Sequence, residues 1–329
     1  MIVTQTPLRI GLLGGGTDFP GYYREHGGRV INCAIDKYIY VIVKQRFDND
    51  IYVNYSKKEI VSHVDELEHE LVREAMRMTG VTKGVEITTL ADIPSTGSGL
   101  GSSSAVTVGL LHALFAYQGR QVSAEQLAEK ACVIEIERCQ KPIGKQDQYI
   151  AALGGLRDIR FGPGDGVVAE ELVLSPADRR ALQRQIMLFY TGITRNANSI
   201  LAEQNANIGT TLPLLDVLRD LAGFAVDRLR SGGIDVIGPA MRESWEAKRK
   251  LASGVSNERI DTAVSRALDA GALGAKLTGA GGGGFVLVIC PVERQGAVRD
   301  SLADMKELPV KLDGLGSRVV FNVLRDIWG

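Results

Sequence analysis

The chain of 329 residues carries 38 basic against 39 acidic side chains and is 45% apolar, enough to bury a sizeable core in one large or two ordinary domains. No basic surplus points to nucleic acid or an anionic membrane as the main partner, no stretch reaches membrane-spanning length, and MIVTQTPLRIGLLGGG at the N-terminus lacks the features of a secretory signal, so the expectation is a soluble, cytoplasmic protein. Cys33, Cys132, Cys139 and Cys290 show no C-x-x-C pairing and read as reduced thiols, and His26, His63, His69 and His112 lack zinc-ligand spacing.

In chain order, LRIGLLG and RVINCAIDKYIYVIVKQRF read as extended, with IYVNY after a turn at DND. HVDELEHELVREAMRMTG has helical periodicity and ends at a glycine. VEITTLADIP has the β-branched content of a strand, enters PSTGSGLGSSSA at 94–105, and is followed by the apolar, helix-like AVTVGLLHALFAY. A strand, a glycine-rich bend and a buried helix in succession place backbone N–H groups beside the positive end of a helix, which suits an anion such as phosphate. SAEQLAEKACVIEIERC opens with Ser123 and Gln126 at capping-box spacing, which sets Leu127, Ala131 and Ile134 on one buried face. GGLRDIRFGPGDGVV is rich in turn formers and reads as the start of the passage out of the first domain. The second half is mostly helical between strand-like IMLFYTGI and the extended pair AKLTG and GFVLVIC; a further helix near VERQGAVRDSLADM leads to strand-like SRVVFNVL. Long helices on a small, largely antiparallel sheet make the fold class α+β.

Three stretches, GLLGGGTD at 11–18, STGSGLGSSSA at 95–105 and KLTGAGGGGF at 276–285, suggest backbone approaching a ligand from several directions. The last holds a formal G-x-G-x-x-G at Gly279, Gly281 and Gly284, but strand-like FVLVIC follows where a dinucleotide fingerprint requires a helix. No lysine precedes a serine or threonine, so the chain has no Walker A loop. Gly101 to Ala105 imitates a hydrolase nucleophile elbow, yet the one histidine after Ser103, His112, is too far along the same helix to take the serine proton. In IEIERCQKPIGKQDQY, Glu135 and Glu137 on a helix, a Pro/Gly bend and Asp147 bring acids toward a shared site, where one can hold magnesium and another accept a proton.

Together the three glycine loops and the E-x-E-x-x-x-x-P-x-G-x-x-D segment resemble the GHMP kinases, with PLRIGLLGGGTD, PSTGSGLGSSSA and KLTGAGGGGF matching the three family motifs in order over nearly the whole chain. The resemblance implies an N-terminal domain like ribosomal protein S5 domain 2 over residues 1–170 and a ferredoxin-like C-terminal domain over 171–329, with the final strand free to rejoin the first. It implies ATP and Mg2+ as cofactors, and it places ATP on Pro94, Gly97, Gly99, Leu100, Gly101, Ser102, Ser103 and Ser104. Ser103 matches the magnesium-binding serine, with Ser102 and Ser104 as contenders. Glu135 matches the magnesium-binding glutamate, ahead of Glu137. Asp147 falls where galactokinase-like members carry the catalytic aspartate, and Arg9 takes the place of the first-motif basic residue.

The string GGGTDFPGYYREHGGRVINCAIDKYIYV resembles the kinases that phosphorylate the anomeric hydroxyl of D-glycero-D-manno-heptose 7-phosphate. Fucokinase-like enzymes, other sugar 1-kinases, and a non-catalytic sugar or nucleotide sensor with the same fold are the alternatives. Substrate contacts are then expected at Gly15, Gly16, Thr17, Asp18, Lys37, Thr194, Arg195, Gly281 and Gly282, with Arg24 and Arg29 as further cations for a substrate phosphate. The partners expected are a small sugar phosphate and ATP, with homo-oligomerisation open, and the family implies a route toward capsule or surface polysaccharide.

Overall fold

The computed structural model of the chain describes residues 1–93, 97–194 and 197–323. Strand β1 (Ile2–Leu13) passes through a short helix α1 (Pro20–His26) into the 18-residue β2 (Gly28–Gln45). Then come β3 (Ile51–Asn54), β4 (Lys58–Val61), α2 (Glu70–Thr79), β5 (Val85–Ala91), α3 (Ser102–Tyr117), α4 (Ala124–Cys132), α5 (Gln146–Leu153), β6 (Leu156–Phe161) and β7 (Val167–Glu171). The rest of the chain forms α6 (Pro176–Gln185), β8 (Ile186–Tyr190), α7 (Ala197–Ala206), α8 (Ile208–Arg230), α9 (Ile237–Lys248), α10 (Glu258–Asp269), β9 (Gly274–Leu277), β10 (Phe285–Ile289), α11 (Gln295–Ser301), β11 (Lys306–Glu307) and β12 (Arg318–Asn322).

Two sheets organise these elements. The first runs β12-β1-β2-β5-β3-β4, antiparallel except for β3 beside β5, and β6 and β7 extend it from the N-terminal half of β2. The second runs β11-β8-β10-β9, wholly antiparallel. This is the two-domain α+β layout expected from the pattern of elements, and β12 returns from the second half to pair with β1.

Helix α3 is the pillar of the first half. Its apolar residues are distributed around the helix, so it must be covered on every face, and it is, by β1, β2, α2, α4 and α5. Ala105, Val108, Leu110, Leu111, Ala113 and Leu114 are all fully buried. The capping box of α4 forms as its sequence predicts, with Ser123 and Gln126 reciprocally bonded and Leu127, Ala131 and Ile134 buried. All four cysteines are free thiols.

One segment differs from its sequence-based expectation. GGLRDIRFGPGDGVV does not leave the first domain but forms the β6–β7 hairpin, bent at GPGDG. Alternation in LRDIRF is hidden because a buried position is occupied by Asp158. That carboxylate is fully enclosed and takes two hydrogen bonds from Arg29 (2.8 and 2.8 Å) and one from Arg160 (3.1 Å). Burial of a charge is tolerated when it is paired and hydrogen-bonded.

Removing the pillar's packing has a predictable cost. Leu111→Ala should lower unfolding free energy by about 3 kcal/mol through transfer and cavity terms together. Urea unfolding followed by circular dichroism is the check, and an unchanged midpoint would contradict this account of the core.

Candidate active site

The glycine-rich segments meet at the junction of the two halves. An added Cβ at Gly279 would lie 2.7 Å from the Gly99 Cα, so the third loop and the second approach with no room for a side chain between them. The cleft beside them, about 210 Å³, is lined from the first half by Arg9, Gly15, Gly16, Asp18, residues 97–99 and 101–104, Lys141, Gln146 and Asp147. Lys248, Lys276, Gly279 and Ala280 line it from the second. The first turn of α3 opens onto this space, and a helix N-terminus presents unpaired N–H groups and partial positive charge.

Arg9 projects from β1 and is almost fully buried. Its Nε and Nη2 donate to the two carboxylate oxygens of Asp147 at 2.7 and 2.6 Å, and its Nη1 donates to the Gly99 carbonyl at 2.6 Å. The planar fork therefore fixes the carboxylate's orientation relative to the glycine loop. Asp147 itself stands in the first turn of α5 and keeps about a quarter of its side chain exposed to the cleft side (23%).

Glu135 lies in a π-helical stretch, Val133–Arg138, that continues α4. It is fully buried, whereas Glu137 is exposed. Its Oε1 accepts from Ser103 Oγ at 2.6 Å and its Oε2 from Gln148 Nε2 at 2.8 Å. Lys141 Nζ stands 3.1 Å from Ser103 Oγ and 3.8 Å from Glu135 Oε1. Burial pushes the Glu135 carboxyl above its ordinary pKa, opposed by the Lys141 charge and the surrounding hydroxyl and amide bonds. A hydroxyl and a carboxylate oxygen are hard donors, and the place already accommodates a positive charge, so the residues fit a magnesium ion. Among the described residues no group of three or more His, Cys, Asp or Glu side chains assembles a complete metal cage, and Mg2+ characteristically completes its shell with phosphate and water.

On the opposite side, Asp18 is buried at 2% exposure and accepts from the backbone N–H groups of Gly16 (3.2 Å) and Gln146 (3.3 Å). A Cβ at Gly144 would fall 2.0 Å from its Oδ2, so the bend before Asp147 reaches Asp18 only because residue 144 is glycine. Burial, then the neighbouring Asp147 charge, raises the Asp18 pKa.

The sequence-based candidates thus separate into groups. Arg9, Asp147, Gly15, Gly16, Asp18, Gly97, Gly99, Gly101, Ser102, Ser103 and Ser104 line one cleft, and Glu135 adjoins it through Ser103. Leu100 is buried and gives its carbonyl to the Arg9 N–H, while Thr17 bonds the Gly14 and Arg29 backbone instead of facing the cleft. Lys37 pairs with Asp36, Thr194 is exposed, and Gly281 and Gly282 pack against Val255; none of these four lines the cleft. Pro94 and Arg195 lie outside the described residues. Sequence reasoning missed Lys141, Gln146, Lys248 and Lys276 as lining residues. Gln146 and Lys276 sit inside motifs already singled out, but Lys248 ends a helix that carries no motif.

An amide-rich helix end across from a clamped, partly accessible carboxylate suits the holding of a polyphosphate next to a hydroxyl that must lose a proton, which is the task of a kinase. Residues 67–155 match the GHMP kinases N terminal domain and residues 225–307 the GHMP kinases C terminal domain. The chain is 30% identical over 302 residues to the D-glycero-alpha-D-manno-heptose 7-phosphate kinase of Campylobacter jejuni, covering 87% of this chain and 88% of that one. It is 29% identical over 337 residues to the L-fucokinase/L-fucose-1-P guanylyltransferase of Bacteroides fragilis, covering 90% of this chain and 35% of that longer protein. The crystal structure of a D-glycero-D-manno-heptose 1-phosphate kinase from Bacteroides thetaiotaomicron superposes with a TM-score of 0.82 at 24% identity, covering 99% of this chain and all (100%) of that one. The protein is an ATP-dependent phosphotransferase. It belongs to the GHMP kinase family.

The buried lysine at 248 gives the site a measurable signature. Desolvation lowers its pKa from 10.5 to about 8, with Asp18 opposing and Arg9 reinforcing the shift. Between those two values the unfolded chain holds a proton that the folded one has released, so stability contributed by this group rises with pH across that window. Relative to Lys248→Met, the protein should gain up to about 3 kcal/mol between pH 8 and 10.5. Parallel denaturant titrations of the two proteins test this, and a pH-independent difference would show that the ammonium is not desolvated.

Proposed function

We propose that the protein transfers the γ-phosphoryl group of ATP to the anomeric hydroxyl of D-glycero-D-manno-heptose 7-phosphate, giving the 1,7-bisphosphate. The observation that carries phosphoryl transfer is the Arg9–Asp147 clamp, at 2.7 and 2.6 Å, facing the same cleft as the first turn of α3. The heptose assignment is supported by the Campylobacter jejuni relative at 30% identity over most of both chains. A fucokinase-like acceptor is the second reading, favoured by the Bacteroides fragilis relative.

In this scheme the N–H groups of Gly97, Gly99 and residues 101–104 hold the phosphates, and Asp147 orients the acceptor hydroxyl and takes its proton as the phosphoryl group leaves the nucleotide in line. Arg9 keeps the carboxylate aimed and remains charged throughout. Gly15, Gly16 and Asp18, which share the cleft wall with Asp147, receive the sugar hydroxyls. Ser103 and Glu135 would hold Mg2+, which when bound neutralises charge on the phosphate oxygens. The division of the chain near residue 170 and a cytoplasmic location, where ATP is at hand and thiols stay reduced, belong to the same proposal.

Asp147→Asn should leave ATP binding within about threefold while cutting turnover by at least 10²-fold, the scale of a lost general base. Turnover equal to wild type, measured where chemistry limits the rate, would remove Asp147 from the mechanism. For the acceptor, ADP release from the purified protein is measured against mannose, fucose, galactose, sedoheptulose 7-phosphate and heptose 7-phosphate, and the new phosphate is located by NMR. Heptose 7-phosphate should be preferred with the phosphate on the anomeric oxygen; activity confined to an unphosphorylated sugar defeats the assignment.

A further inference from the structure

A sugar phosphate entering this cleft is well received by cations, and among the described residues the candidates visible in the sequence do not line it. Arg24 is taken up by Asp165 at 3.1 and 2.8 Å, Arg29 by Asp158 at 2.8 Å, and Lys37 by Asp36 at 3.2 Å. None of the three lines the cleft. Among the described residues the cations that do so are Arg9, Lys141, Lys248 and Lys276. Arg9 is clamped onto Asp147, and Lys141 stands beside Ser103 and Glu70 (3.1 and 3.2 Å) on the side of the α3 N-terminus. Two lysines remain.

Both are contributed by the second half of the chain, Lys248 as the last residue of α9 and Lys276 from β9. They are buried at 7% and 5% exposure. Lys276 Nζ donates to the Leu12 carbonyl at 2.8 Å and Lys248 Nζ to the Gly15 carbonyl at 3.4 Å, so each reaches across to the end of β1 or the turn after it. Neither forms an ion pair with a carboxylate among the described residues. One carbonyl engages a single donor of the three on an ammonium, so each lysine has donors left for a further acceptor. The two lysines and Arg9 also stand close enough to oppose one another's charge: burial first, then Lys248 and Arg9, holds Lys276 well below the ordinary lysine pKa. A fold that gathers two lysines and an arginine at one buried place, with one of the two nearby carboxylates already bound by arginine, is arranged for a multiply charged anion, whose arrival would restore the charge that burial opposes.

We propose that Lys248 and Lys276 form a phosphate subsite on the acceptor side of the cleft, donating from the C-terminal half to the oxygens of a phosphoryl group. The proposal rests on the acceptor assignment above for its biological ligand, but its chemistry is that of any phosphoryl oxyanion. Two sources could supply one, the phosphate carried by the acceptor and the γ-phosphoryl group in transfer.

Inorganic phosphate is the probe, titrated calorimetrically into the intact protein loaded with Mg2+ and either ADP, which leaves the γ position empty, or the non-hydrolysable analogue AMP-PNP, which fills it. The variants are Lys248→Met and Lys276→Met, with Lys276→Arg retaining the charge; melting temperatures establish that each is folded. Lys248→Met is the decisive one, because its ammonium makes the longer bond in the fold. Phosphate binding that survives AMP-PNP and weakens at least tenfold in the methionine variants, but less in Lys276→Arg, assigns the pair to the acceptor's phosphate. Binding seen with ADP, blocked by AMP-PNP and weakened by the same substitutions assigns it to the group in transfer. Undetectable binding in the wild type with either nucleotide, or affinities within twofold of wild type in Lys248→Met, overturns the subsite. None of these readouts requires turnover. If no sugar phosphate is phosphorylated while the variants still lose phosphate, the acceptor assignment fails and the subsite stands.

Discussion

The Arg9 guanidinium joins three parts of the chain that are distant in sequence. Its backbone lies in β1, one nitrogen holds the Gly99 carbonyl of the central loop, and the other two hold Asp147 at the start of α5. The loop's conformation, the direction of α3 and the aim of the carboxylate are therefore one coupled arrangement. Breaking a buried, bidentate pair of this kind leaves an uncompensated charge, so the contact is held in place by a larger penalty than a surface ion pair carries. Orientation also matters for chemistry, because a proton acceptor works only from within hydrogen-bond reach of the hydroxyl it serves.

The same cleft is crowded with charge that a core chosen for stability alone would not contain. Glu135 and Asp18 are pushed toward their neutral forms by burial, and Lys248 and Lys276 toward theirs. Opposed shifts of acids and bases in one place are characteristic of functional sites, where stability is given up for preorganisation. The apolar mass around α3 offsets that cost, since it holds the helix end rigidly against groups that would otherwise relax toward water.

Much of this was legible in the sequence where the signal is local. Three glycine-rich runs mark places where backbone meets backbone, and the structure brings Gly279 against Gly99 with no space for a Cβ. The capping box at Ser123 and the acids at 135 and 147 are likewise written in a few adjacent letters. What escaped detection depends on contacts between remote segments. Lys248 ends a helix like many others, and only the packing of α9 against β9 and β1 brings its ammonium to Gly15. Arg29 looked like a free cation because its partner, Asp158, lies 129 residues away in a strand whose alternation that same aspartate obscures. A charged side chain in one dimension does not reveal whether it has a mate.

The return of β12 to β1 brings the two ends of the described chain together. The Met1 ammonium donates to the Val323 carbonyl at 2.5 Å, so these two positions lie side by side at the edge of the first sheet, and the polypeptide passes between the halves twice, outward after β7 and back before β12. The apolar core is continuous across that junction, because Leu188, Ala222, Val226, Met241 and Leu287 of the second half are buried in one cluster with residues of β1, β2 and α3. Met1 is also about 25 Å along β1 from Arg9, so a tag or fused module joined there emerges at a corner remote from the chemistry.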